Sequence, residues 1–380
     1  MKRHLLIGLC LLQWTACSDD IIEEGLLIGP VGEPDRAALG LRLVPDDVDL
    51  DLTDLSQEEV EVVAKGSYLV NGAAGCFGCH SSEAGYLAGG NEFQLPFLPA
   101  DIEGRTSVIA RNLTPDPDTG MELTEEEFIE AMRTAKDFHD SDDENPQRMI
   151  IMPAQVFRFM LEDDLRAIYA YLQRIPPIHN EVREEYVPPF PFPPIPLQGL
   201  DASDADGVQR GLQIPRLFSS GEQADAFVDQ FEANVAALSA AEQARVGRGS
   251  YLVNAVADCS NCHTDGIPDG AFDSGLLPET FDVNTTTYLG GGVDLGVFFL
   301  LPFQVLSRNL TPHSDTGLEL SEDEFIQTLR FGADFRRPGA SLRTVPHFPA
   351  EFRMTRDDLA AIYTYLRHIP AVDNDVAITE

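Results

Sequence analysis

Apolar residues recur along this chain at helical spacing, in blocks that open on polar caps. Ser56 with Glu59, and Ser239 with Glu242, have the spacing of a reciprocal side-chain cap, and each predicts a helix running on to a cysteine-containing segment. Thr124 with Glu127 and Ser321 with Glu324 repeat the signal for a middle helix. A last helix puts Leu165, Ile168, Tyr169 and Leu172 on one face, matched later by Leu359, Ile362, Tyr363 and Leu366. Pro176 and Pro370 stop these helices, since proline lacks the N–H and clashes with the preceding turn. No convincing run of alternating strand residues occurs, so the expected fold class is all-α.

The same blocks return in the same order. "KGSYLVNGAAGCFGCH" at 65–80 matches "RGSYLVNAVADCSNCH" at 248–263, and "YLAGG" at 86–90 matches "YLGGG" at 288–292. "ARNLTPDPDTGMELTEEEF" at 110–128 matches "SRNLTPHSDTGLELSEDEF" at 307–325, and "DDLRAIYAYLQRIP" at 163–176 matches "DDLAAIYTYLRHIP" at 357–370. A long unit used twice is a duplicated domain rather than a short-period solenoid. The expected organisation is a signal peptide at 1–16, an acidic tether at 17–54 and a first helical domain at 55–183. A linker with an extra helix follows at 184–237, then a second helical domain at 238–380. The linker contains "VPPFPFPPIP" at 187–196, suited to an extended spacer, and the second unit carries an insertion at about 264–287 that reads as a surface loop.

Charge narrows the partners. The chain of 380 residues has 63 acidic against 26 basic residues, a net charge of −37. Such a surface repels nucleic-acid phosphates and is steered towards basic docking faces. At the N-terminus Lys2 and Arg3 precede an apolar run from Leu5 to Leu12, too short for the ~18 residues that span a bilayer. The run ends on "WTAC", which resembles a bacterial lipoprotein signal with Cys17 as the lipidated first residue of the mature chain. The expectation is an exported protein, periplasmic and held to the membrane by lipid alone.

Cysteine usage then isolates the chemistry. Of six cysteines, Cys10 lies in the signal and Cys17 at the lipidation site. The others are Cys76 and Cys79, followed by His80, and Cys259 and Cys262, followed by His263. Zinc needs four closed ligands, and each half offers three locally. A redox disulfide of this spacing expects a βαβ setting, which is absent. Covalent haem accounts for every element: two thiols one helical turn apart form thioethers, and the adjacent imidazole falls under the iron. Two such pentapeptides imply two covalently bound haem c groups.

Each half resembles a class I c-type cytochrome domain. The "RNLTPDPDTG" stretch, the acidic "EEEF" helix and the "MP…DDLRAIYAYL" ending resemble the cytochrome c subunits of membrane-associated alcohol and gluconate dehydrogenases. Those relatives commonly carry three haems, whereas this chain has two pentapeptides. The resemblance implies two tandem class I cytochrome c-like helical domains joined by the Pro-rich linker, passing single electrons between redox partner proteins such as a dehydrogenase or oxidase. It also implies a sixth iron ligand from a Met-Pro pair before the last helix, which is Met152-Pro153 in the first half, with Met149 in reserve. The second half has Val345 at that place, and valine cannot bind iron. His347, an open coordination position, or Met354 are the alternatives there. Arg111-Asn112 and Arg308-Asn309 are read either as haem-propionate partners or as turns held by local hydrogen bonds. No acid–base or nucleophilic machinery marks a catalytic site, so an electron carrier is expected. A peroxide- or gas-reactive haem protein using an open second iron is the alternative, and a lipoprotein binding zinc is a further one.

Overall fold

The computed structural model describes residues 35–94, 106–142, 145–149, 152–182, 206–218, 221–265, 283–298, 301–337 and 353–376, and the single positions 100, 104 and 194. All four capping boxes form. Ser56 opens α1, Gln57–Tyr68, by accepting from the Glu59 N–H at 3.3 Å, while its own N–H donates to the Glu59 carboxylate at 2.7 Å. Thr124 opens α2, Glu125–Thr134, in the same way, and α3, Glu162–Leu172, completes the first set. In the second half the corresponding helices are α4, Ala240–Tyr251, opened by Ser239, α5, Glu322–Phe331, opened by Ser321, and α6, Arg356–Leu366.

The first and last helices of each half cross at a glycine. A β-carbon on Gly66 would lie 1.9 Å from the Ala167 carbonyl oxygen, and one on Gly249 would lie 2.0 Å from that of Ala361. Bare backbone at these two points lets α1 settle on α3 and α4 on α6. Leu165, Ile168 and Leu172 are buried as their spacing predicts, each contributing about 1.5–3 kcal/mol. The tyrosines differ from expectation. Tyr171 and Tyr365 are fully buried, whereas Tyr169 and Tyr363 sit at the edge of the apolar face. Their hydroxyls donate to the carbonyls of Leu123 and Leu320 at 3.0 and 2.8 Å.

Three sequence-based expectations change. First, part of the stretch expected as an acidic tether folds: Arg36–Leu43 is a helix, capped by the Asp35 carboxylate, with Leu39 and Leu43 buried against α1. Its two inward leucines sit among charged and small residues, too few to register as a periodic face. Second, two small antiparallel pairs occur, Glu92–Gln94 with Ser107–Ile109 and Lys136–Asp142 with Asn145–Arg148. The first strand is mostly exposed and only three residues long, so no alternation announces it. Third, α1 and α4 do not run unbroken to the pentapeptides. Each passes into a π-turn, Leu69–Ala73 or Leu252–Val256, and then breaks at a left-handed residue, Gly75 (φ 65°) or Asp258 (φ 55°). Overall the described residues are mostly helical with little sheet.

A further helix, Glu222–Ala236, docks on the second half through Phe227, whose ring meets Tyr288 at 5.4 Å, and Phe231, which meets Tyr365 at 5.9 Å. One continuous cluster of buried side chains joins the two halves. The proline-rich stretch 187–196, apart from position 194, lies outside the described residues, as do residues 266–282 of the insertion and residues 1–34 with Cys17. Among the described residues no helix is long and apolar enough to cross a membrane.

Candidate functional site

Each pentapeptide forms one short helix, Cys76–His80 and Cys259–His263. The spacing i, i+3, i+4 puts both sulfurs and the imidazole on one side of a single turn. All four cysteines are free thiols and half-buried. Burial pushes the Cys76 thiol up to about 12, Cys79 to about 11, and Cys259 and Cys262 to about 12.

The histidines are oriented identically. His80 Nδ1 lies 2.8 Å from the Arg111 carbonyl oxygen, and His263 Nδ1 lies 2.7 Å from that of Arg308. A carbonyl only accepts, so Nδ1 carries the proton and Nε2 keeps its lone pair for a metal. Burial lowers both imidazole pKa values, which favours the neutral, ligating form. On the other side, the Gly89 N–H donates to the His80 carbonyl and the Gly291 N–H to that of His263, each at 2.7 Å. The donor set therefore fits covalent haem: paired thiols, and a neutral imidazole with its far nitrogen unspent.

The carbonyls that orient the histidines are themselves anchored. The Arg111 guanidinium donates to both carboxylate oxygens of Asp137 at 2.8 and 2.7 Å, and Arg308 likewise grips Asp334 at 3.0 and 2.7 Å. Asn112 Oδ1 accepts from the Thr114 N–H and hydroxyl while its amide donates to the Ile178 carbonyl; Asn309 does the same with Thr311 and Val372. The asparagines thus hold local turns, as one of the two alternatives has it. The acidic group Asp116, Asp118 and His179 is a turn of the same kind, with Asp116 accepting from the Thr119 hydroxyl and N–H.

Behind each π-turn lies a polar triad, fully buried in the second half and half-buried at Tyr86 in the first, with no counterpart in the sequence-based expectations. Tyr86 donates to Asn71 Oδ1 at 2.6 Å and meets the Tyr171 hydroxyl at 2.8 Å; Tyr288, Asn254 and Tyr365 repeat this at 2.5 and 2.9 Å. The signal was present in the repeated "SYLVN" and "IY.YL" blocks, where polar atoms recur inside otherwise apolar elements.

Among the distal candidates, Met152 is half-buried against the core and lies one residue before Pro153, which opens the short helix Ala154–Phe157. Met149 is partly exposed, its N–H bonded to the Ala135 carbonyl. Met354 is fully buried in the core, as is Met160 at the matching place before α3. Val345 and His347 lie outside the described residues.

Comparison with known proteins agrees with this chemistry. Residues 63–176 match the family model described as Cytochrome c. Over 83% of its length the chain is 26% identical to the cytochrome c subunit of a quinone alcohol dehydrogenase from Gluconobacter oxydans, covering 57% of that protein. It is 24% identical to the fructose dehydrogenase cytochrome subunit of Gluconobacter japonicus, over 81% of this chain and 53% of the relative. It is also 24% identical to the gluconate 2-dehydrogenase cytochrome c subunit of Pantoea cypripedii, over 82% and 60%. The chain thus spans little more than half the length of these curated relatives. The chain therefore contains a cytochrome c domain, which implies covalently bound haem c, and along most of its length it resembles the cytochrome c subunits of alcohol, fructose and gluconate dehydrogenases.

Proposed function

We propose that this protein is an exported two-haem c-type cytochrome, built from two tandem cytochrome c units, that relays single electrons from a dehydrogenase to a further redox partner. One observation carries the proposal: both pentapeptides present two cysteines and a histidine whose Nδ1 is bonded to an arginine carbonyl, at 2.8 and 2.7 Å. Haem, when bound, supplies reversible one-electron chemistry at iron.

The residues of the chain do the rest. Cys76 and Cys79 hold the first haem through thioethers, and Cys259 and Cys262 hold the second. His80 and His263 are the proximal ligands. Met152 would supply a further iron ligand for the first haem and His347 for the second. Cys17 carries the lipid that keeps the protein at the membrane. The surplus of acidic residues, 63 against 26 basic, steers basic partner faces to the surface. Similarity to dehydrogenase cytochrome subunits supports a dehydrogenase as donor.

A reductive titration of the oxidised protein tests this function. It should take up two electrons per chain in two one-electron steps, each with the absorption change of a c-type haem. Uptake of a single electron, or none, contradicts the proposal.

A further inference from the structure

The two halves exchange hydrogen bonds reciprocally, in an arrangement that haem attachment does not itself require. Tyr68, the last residue of α1, donates to Asp358 Oδ2 at 2.6 Å and accepts the Thr355 N–H at 3.2 Å, so that it caps α6 of the other half. Tyr251, the last residue of α4, donates to Asp164 Oδ2 at 2.5 Å and accepts the Leu161 N–H at 3.0 Å, capping α3 in return. Both tyrosines are buried, at 1% and 0% exposure, so these bonds form away from water and are charge-assisted.

Cations lock both carboxylates. Arg248 grips Asp358 at 2.8 and 3.0 Å and Arg36 grips it at 2.9 Å twice, while Lys65 pairs with Asp164. The two arginines hold the Asp358 carboxyl below the usual carboxylate range despite its burial.

Each tyrosine leads directly into a π-turn and then a pentapeptide. These turns lie at the boundary between the halves: a β-carbon on Gly72 would sit 2.8 Å from the Arg353 carbonyl oxygen. The π-turn Leu69–Ala73 of the first half also packs directly against its counterpart Leu252–Val256 of the second. The two attachment segments are therefore neighbours, and the tyrosine pair stands at the root of both.

We propose that Tyr68 and Tyr251 are positioning residues for electron exchange between the two haems, fixing the separation of the two attachment segments. This rests on the two-haem function proposed above. In the step itself one electron leaves the ferrous iron of one haem and arrives at the ferric iron of the other; no bond or proton is exchanged. The rate of such a transfer falls exponentially with separation, so a hinge at this boundary would slow it. Two reciprocal caps prevent a hinge because opening either one leaves a buried carboxylate short of a donor.

The experiment uses the full holo-protein as wild type, as Tyr68→Phe with Tyr251→Phe, and as Tyr169→Phe with Tyr363→Phe. The last pair removes hydroxyls that bond only within their own halves. Dipolar electron paramagnetic resonance between the ferric irons reports their distance distribution. Rapid injection of one electron reports how fast it redistributes between the haems. Wild type and the Tyr169/Tyr363 control should share one narrow distribution and one rate. The Tyr68/Tyr251 variant should show a broadened or lengthened distribution and exchange slowed by about tenfold or more. If the double variant does not accumulate, each single variant is read against the same control. An unchanged distribution and rate, with both haems attached, would overturn the inference alone. A single haem in the wild-type protein would overturn the proposed function instead.

Discussion

At the scale of single residues, the two halves match at attachment and diverge at the distal side. Histidine orientation repeats to within 0.1 Å, from 2.8 to 2.7 Å. Methionine gives way to Val345, with His347 two positions on. Thioether ligation favours ferrous iron, whereas a second imidazole favours ferric iron. Axial ligand identity moves haem potentials over roughly 0.8 V, and each 59 mV is about a factor of ten in a one-electron equilibrium. Electrons should therefore rest on the first haem. Near-infrared spectra of the ferric protein should show one methionine–iron band, lost in Met152→Ala, and His347→Ala should open the second iron to carbon monoxide. Two methionine bands in the wild type, or equal potentials, would contradict the ligand assignment. The pentapeptide helices and the capping residues were legible because each declares itself within a few residues. The tyrosine–asparagine triads were not, because Asn71, Tyr86 and Tyr171 meet only after folding.

At the scale of elements, the glycine crossings set the frame on which each attachment helix hangs. Alanine in an exposed helix stabilises by about 0.8–1 kcal/mol relative to glycine. At position 66 that gain competes with a β-carbon 1.9 Å from backbone oxygen, which no side-chain adjustment relieves. Overpacking of this kind costs about 1–3 kcal/mol or more, so the steric effect wins. Gly66→Ala and Gly249→Ala should each lower the thermal midpoint of the holo-protein, while alanine at an exposed helix position should not. A midpoint unchanged in both would mean that the helices do not cross at these glycines. Helix existence was legible from caps and periodicity. The π-turns were not, because Leu69–Ala73 continues the apolar pattern of α1 without any local sign of the extra residue per turn. The helix Arg36–Leu43 escaped notice for the opposite reason, since only Leu39 and Leu43 of it are buried apolar side chains.

At the scale of the whole molecule, the proposed duplication puts two like units in one chain, and the buried side chains of both halves form one cluster. The links that join them are distant in sequence, Tyr68 lying 290 positions from Asp358 and Tyr251 87 positions from Asp164. A repeat alignment shows that both tyrosines and both aspartates recur, but not that each tyrosine reaches the aspartate of the other half. The proposed relay would gain from this arrangement, because two haems held at a fixed spacing would pass an electron without waiting for diffusion. Everything in the account depends on both pentapeptides carrying haem. The most direct measurement is the intact mass of the mature protein, made with a working haem-attachment system and compared with Cys76→Ala and Cys259→Ala. Wild type should exceed its processed polypeptide by two haems, beyond any lipid on Cys17, and the variants should lose a haem from one half and keep the other. A wild-type mass with one haem, or with none, would contradict the account.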